Sequence, residues 1–232
     1  MHSLGALDFS SPLFWVAVGQ IVIIDLLLSG DNAMVIALAC RKLPNNQRKL
    51  GIFWGVSGAI ILRVVLTFFA VTLLSLPYLK IIGGALLIWI GIKLLTEDKG
   101  GDSNSVDASA SLAVAIKTII LADVVMSLDN VVAVAAAARG SVFLLFFGLA
   151  LSIPLMIWSS QLFLRLIDRF SFIIFFGGGL LGWIALSMAI TDPILSNIPI
   201  DLNKNHLNIV LPGLGAMLVI AAGFFLSKRK LS

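Results

Sequence analysis

Along this chain apolar residues come in long runs separated by short polar or Pro/Gly breaks, and seven such runs can be read: 12–39, 51–74, 79–95, 112–138, 141–164, 170–190 and 207–227. Each is about the length that crosses the hydrocarbon of a bilayer, roughly 20 residues. In lipid a segment must satisfy its own backbone polar groups, so each run predicts a transmembrane helix. The polar stretch Glu97 to Ser111 is rich in Gly, Ser and Asp and reads as a linker. The first run lacks a basic region before it and a small-residue cleavage site after a short core, so it is expected to be a permanent span.

Two patterns recur in the same order. Asp25-x3-Ser29-x-Asp31-Asn32-x8-Arg41 returns as Asp123-x3-Ser127-x-Asp129-Asn130-x8-Arg139, 98 residues later. Gly83-Gly84-x-Leu86-Leu87-x-Trp89-Ile90 returns as Gly177-Gly178-x-Leu180-Leu181-x-Trp183-Ile184, 94 residues later. Three spans per unit is an odd number, so the second unit enters the membrane from the opposite face. The expected fold is therefore all-α: seven transmembrane helices as two inverted three-helix repeats plus a seventh helix. The divisions fall at 1–96 for the first repeat, 97–111 for a cytoplasmic linker and 112–191 for the second repeat. Residues 192–232 then hold an extracytoplasmic loop, the seventh helix and a basic C-terminus.

Composition removes the soluble alternative, since 59% of residues are hydrophobic and 12% charged, with a mean hydropathy of +1.08. A soluble domain carries about twice that share of charge. The net charge of +4 does not indicate nucleic acid, because the basic residues sort by side. Lys80, Arg139 and Lys204 fall on the side of the N-terminus, and twelve Lys and Arg on the other. The positive-inside rule then places the N-terminus outside and the C-terminus in the cytoplasm of an inner (plasma) membrane. The single Cys40 excludes a disulfide framework, and with only His2 and His206 it cannot form a Cys/His zinc cluster.

Asp25, Asp31, Asp123 and Asp129 lie inside predicted spans, where Arg63 is the one clear basic residue. A charge at mid-bilayer costs about 3 kcal/mol on insertion scales, so these carboxylates need partners or water. On an ideal helix Asp25, Ser29 and Asn32 share a face while Asp31 points about 120° away. A local opening at Ser29-Gly30 would let both Asp residues meet one ligand, and Leu128 in place of Gly30 makes the matching break in the second repeat a weaker expectation. Bringing the first and fourth spans together gathers Asp25, Asp31, Asn32, Asp123, Asp129 and Asn130 into an oxygen-rich metal site, with Ser29 and Ser127 nearby. Such oxygens suit hard divalent cations. Met126 is either packing or a thioether ligand that favours Mn²⁺ over Ca²⁺. Arg63 is read as a partner or gate beside the ligands. The four carboxylates and Arg63 sum to −3, so protons are expected on the empty site and a metal-for-proton exchange follows.

Leu28-Ser29-Gly30-Asp31-Asn32, Arg41-x-Leu43-Pro44-x3-Arg48-x6-Gly55-x7-Arg63 and Ser127-Leu128-Asp129-Asn130 together resemble the TerC family of membrane proteins, and within it the short YjbE-type metal transport proteins. The resemblance implies membership of the broader LysE-like transporter group, seven spans and metal ion homeostasis, with several members resembling Mn²⁺ exporters. Many members carry Glu where this chain has Asp25. The expected function is export of a divalent cation, most of all Mn²⁺, by alternating access with proton coupling. The metal is cargo; no permanent cofactor and no enzymatic activity are expected. The partners are the metal ion, protons and the lipid bilayer, with no nucleic acid and a homo-oligomer left open. Two alternatives stand beside it. An intramembrane aspartyl protease is suggested by Ser29-Gly30-Asp31 but lacks the G-x-G-D, Tyr-Asp and Pro-Ala-Leu elements. The other is a non-transporting accessory membrane protein.

Overall fold

The computed structural model describes residues 12–28, 30–96, 108–138, 141–196 and 204–229. Ten helices run through them: α1 Pro12–Leu28, α2 Gly30–Cys40, α3 Asn45–Phe68, α4 Ala70–Ser75, α5 Leu79–Thr96, α6 Ala108–Ala137, α7 Val142–Arg169, α8 Phe172–Ile190, α9 Pro193–Ser196 and α10 Lys204–Arg229. No strand occurs among the described residues. Six helices (α3, α5, α6, α7, α8 and α10) are long and apolar enough to cross a membrane, and the pair α1 and α2, bent by 55° about its break, makes seven if it is one span. The break falls where Ser29-Gly30 was expected to open the helix; Ser29 lies outside the described residues. An added Cβ on Gly30 would meet nothing within 4 Å, so crowding does not dictate glycine there. The second repeat does not break: α6 continues through Leu128. It also begins at Ala108, inside the stretch read as linker, while residues 97–107 lie outside the described residues. Pro154 sits within α7 without ending it.

The helices form two groups. α3 packs along α6, with α1, α2 and α7 around them, whereas α5, α8 and α10 pack mainly on one another. Lipid offers no hydrophobic drive for helices to associate, so close backbone approach has to supply the contact. Small residues allow it in the second group. A Cβ on Gly84 would sit 2.6 Å from the backbone oxygen of Ala185, and Gly182 of α8 abuts the backbone of Gly215 in α10. In the first group Gly55 of α3 receives Ile119 of α6. Large apolar side chains such as Trp54, Trp158, Phe176 and Phe225 are exposed on the outside of the bundle, where lipid is their solvent.

Each end of the bundle carries a polar clip. At one end the fully buried Asp192 carboxylate accepts from the backbone N–H groups of Tyr78 (3.0 Å), Lys80 (3.1 Å), Ile81 (3.4 Å) and Ile194 (3.0 Å). It thereby caps the start of α5 from the loop after α8, next to Tyr78 with its left-handed φ of 67°. Burial opposes the charge on Asp192, but the four N–H donors outweigh it and hold the carboxyl below the ordinary carboxylate range. At the other end Arg41 donates to the Leu94 carbonyl at 2.7 Å, tying α2 to α5. Arg48 donates to the carbonyls of Leu43 (3.0 Å) and Arg41 (2.6 Å) and to Asp168 (2.9 Å).

Candidate ion-binding site

Asp25 of α1 and Asn32 of α2, on either side of the 55° bend, meet at one buried locus with Asp123 and Ser127, one turn apart on α6, and with Arg63 of α3. None of these five is more than 4% exposed. Arg63 lies between the carboxylates: Nη1 donates to Asp25 Oδ1, Nη2 to Asp123 Oδ1, and Nε to Ser127 Oγ at 2.9 Å. Asn32 Nδ2 donates to the same Asp123 Oδ1 at 2.9 Å, and Ser127 Oγ donates to Asp123 Oδ2 at 3.2 Å. Asn32 Oδ1 is buried and accepts no hydrogen bond. A buried amide oxygen left without a donor is rare, which marks a place where a cation or a water would be welcome.

Asp31 points elsewhere, as the 120° offset requires. It is half-buried, its Oδ1 accepts from the Asn32 backbone N–H at 2.9 Å, and it lines a cavity of about 420 Å³. Leu27, Met126 and Asn130 form that wall, and Trp183, Ile184, Ser187 and Met188 of α8 form the other, so the cavity lies between the two helix groups. Asn32 and Asp123 instead line a crevice with Val35, Ile36, Ile119, Ala122 and Met126, which has no room for a water-sized sphere. Met126 borders both spaces.

Of the residues expected at one metal site, the structure thus gathers Asp25, Asn32, Asp123, Ser127 and Arg63 in a dry cluster, and sets Asp31, Asn130 and Met126 on the neighbouring cavity. Ser29 and the side chain of Asp129 lie outside the described residues. Among the described residues no three His, Cys, Asp or Glu side chains stand together in a ready-made metal cage: the cluster holds only Asp25 and Asp123 of these types, with Arg63 between them. Ser187 and Met188 were not anticipated. The available signal was a hydroxyl in an apolar span one turn beyond Trp183, and the first repeat has Lys93 at that place, so the repeat did not point to it.

A multi-pass bundle that buries two carboxylates and an arginine where its discontinuous first span meets its fourth has the build of an integral membrane protein with a polar centre, and the protein is of that class. The chain belongs to the integral membrane protein TerC family, whose model matches residues 10–231. It is 45% identical to the uncharacterized membrane protein YjbE of Bacillus subtilis over 76% of this chain and 80% of that one. The UPF0053 inner membrane protein YgdQ of Escherichia coli K12 is 24% identical over 66% of this chain and 70% of its own. The tellurium resistance protein TerC of Alcaligenes sp is 30% identical over 36% of this chain and 25% of its own. None of these three names is that of an enzyme. No solved structure matches the chain significantly.

Proposed function

We propose that this protein is a transporter that exports divalent metal cations, Mn²⁺ foremost, by alternating access, with protons as the coupling ion. The observation that carries this reading is a set of oxygens at two depths: a cavity of about 420 Å³ reaches the half-buried Asp31 and Asn130, and the buried Asn32 and Asp123 line a crevice with no room for a water-sized sphere. A permanent pore would be open on both sides. Carboxylate, amide and hydroxyl oxygens suit a hard cation and repel an oxyanion, and the thioethers of Met126 and Met188 favour Mn²⁺ over Ca²⁺. The contacts also agree with inverted repeats: exchanging the two units turns α3 against α6 into α7 against α1 and α2, and returns α5 against α8 to itself. Twelve basic residues against three orient the Asp192 end and the cavity outward. On that orientation the cavity lies toward the outer face and the narrow crevice toward the cytoplasm, as an outward-facing carrier would have them.

The test is metal uptake into inverted vesicles that contain the protein, with Mn²⁺, Ca²⁺, Mg²⁺ and Zn²⁺ side by side. Mn²⁺ uptake should be driven by an imposed pH gradient and abolished in Asp31→Asn and Asp123→Asn, both inserted at normal levels. Normal uptake in both variants would remove these oxygens from the transport path. A second reading, in which the cluster only glues helices together, is favoured by the Arg63 bridge and predicts that outcome.

A further inference from the structure

We propose that Arg63 is a tethered counter-ion: in the empty carrier its guanidinium occupies the place between Asp25 and Asp123 that the transported divalent cation takes, so that the two cations exclude each other. The inference rests on the transport reading and assigns the arginine a part in the cycle.

The geometry of the cluster supports it. Every nitrogen of the guanidinium is committed: Nη1 to Asp25, Nη2 to Asp123 and Nε to Ser127. The side chain is 3% exposed, and its two carboxylate partners are 0% and 4% exposed, so bulk solvent does not reach these contacts. The atoms it holds are the ones a hard cation needs. Asp25 and Asp123 supply carboxylate oxygens and Ser127 a hydroxyl, and Asn32 Oδ1 is already buried beside them with no donor. With the guanidinium withdrawn, the Asp25, Asp123 and Ser127 oxygens that it holds are left facing one vacated position, with the Asn32 amide bonded to Asp123 beside it. With it present, a metal ion at normal oxygen distances would lie against a second full positive charge in a medium that screens poorly.

The arrangement meets a need common to carriers. Two bare carboxylates enclosed in a dry bundle are strongly unfavourable, and the cost is greatest when the site is occluded between the two faces. A loaded carrier passes through that state neutralised by its cargo. An unloaded one needs another positive charge, and Arg63 brings one that cannot diffuse away. Arginine suits this better than lysine because its planar fork spans two carboxylates at once and still offers Nε to a hydroxyl. Net transport includes the return of the metal-free carrier, in which the coupling protons ride on carboxylates outside the Arg63 bridge such as Asp31, and therefore depends on Arg63. Exchange of metal for metal omits that step.

The experiment uses purified full-length protein, with Arg63→Lys and Arg63→Gln. Mn²⁺ affinity is measured by calorimetry in detergent, and radioactive Mn²⁺ is followed in proteoliposomes both as net flux and as exchange against unlabelled Mn²⁺. A lysine lacks the planar fork that holds Asp25, Asp123 and Ser127 at once, so it competes less well and Arg63→Lys should bind Mn²⁺ tighter by about tenfold, within the usual range of coupling between two ligands. In Arg63→Gln the ratio of net flux to exchange should fall by about tenfold or more. Weaker binding in Arg63→Lys, or an unchanged ratio in Arg63→Gln, overturns the proposal. A residue that merely held the bundle together would lower affinity and both fluxes alike. If Arg63→Gln does not fold, the sign of the affinity change in Arg63→Lys decides. Wild-type protein that carries none of the four metals in either assay overturns the transport reading itself.

Discussion

Asp192 shows how much one side chain can organise where the chain leaves the membrane. Its carboxylate satisfies three N–H groups around the start of α5 and one at α9. Those donors have no helical partner, so Asp192→Ala strands them and Asp192→Asn weakens each bond by removing the charge. Both variants should unfold at lower temperature in detergent, the alanine more so. The folded carboxyl titrates below its unfolded value, so the stabilisation is complete above the unfolded value and disappears as pH falls through the folded one. The gap in melting temperature between wild type and Asp192→Asn should therefore hold level from pH 5 to 8 and close only below about pH 4; a gap that changes within the neutral range would contradict the capping role. The sequence revealed the central residues better than this one. Asp25, Asn32, Asp123 and Ser127 were legible because polar and charged residues inside an apolar run are conspicuous, and helical spacing fixes a shared face for Asp123 and Ser127 on the unbroken α6. The placement of Arg63 between them was not, since it depends on which face α3 turns toward α6. Asp192 stood out in nothing, being one more polar residue in a loop.

At the scale of helices, the glycines separate into those that a contact requires and those that it does not. A methyl group on Gly84 would collide with the backbone oxygen of Ala185, an atom that cannot step aside, whereas Gly30 has open space. Gly84→Ala should push α5 from α8 and cost about 1–3 kcal/mol. Gly30→Ala should leave thermal stability within about 0.5 kcal/mol of wild type, as substitutions without a clash usually do. Thermal unfolding of the two purified variants in one detergent checks the pair, and equal losses would mean that the approach of α5 to α8 is not set at Gly84. The spans themselves were readable because a run of apolar residues long enough to cross lipid has one available conformation. Their ends were less so. α3 begins at Asn45, ahead of the apolar run expected from 51, because its first turns are polar and project beyond the hydrocarbon. The break after Phe68 carries no Pro or Gly to announce it.

The whole molecule divides into a group around α3 and α6 and a group of α5, α8 and α10, and the cavity lies in the seam between them. The Arg41 bond to the Leu94 carbonyl crosses the seam at the end away from the cavity, which is where such a structure is shut. The repeat in the sequence suggested opposed halves, but this division was not legible from it: each group takes helices from both repeats, because the third span of each unit packs on its counterpart. The closed crevice has an electrical consequence as well. On the transport reading the cavity fills with water and conducts, and membrane voltage would then drop mainly across the narrow layer that Val35, Ile36 and Ile119 help to form. An ion entering that layer crosses a large part of the field in a short distance, at about 2.3 kcal/mol per uncompensated charge for each 100 mV. Mn²⁺ flux in proteoliposomes clamped with potassium and valinomycin should therefore change steeply with voltage at constant pH. A flux indifferent to voltage would mean that an equal charge crosses the same layer in the opposite direction during the same step, and the hydrophobic seal would then serve as the plane at which the exchanging ions are counted against each other.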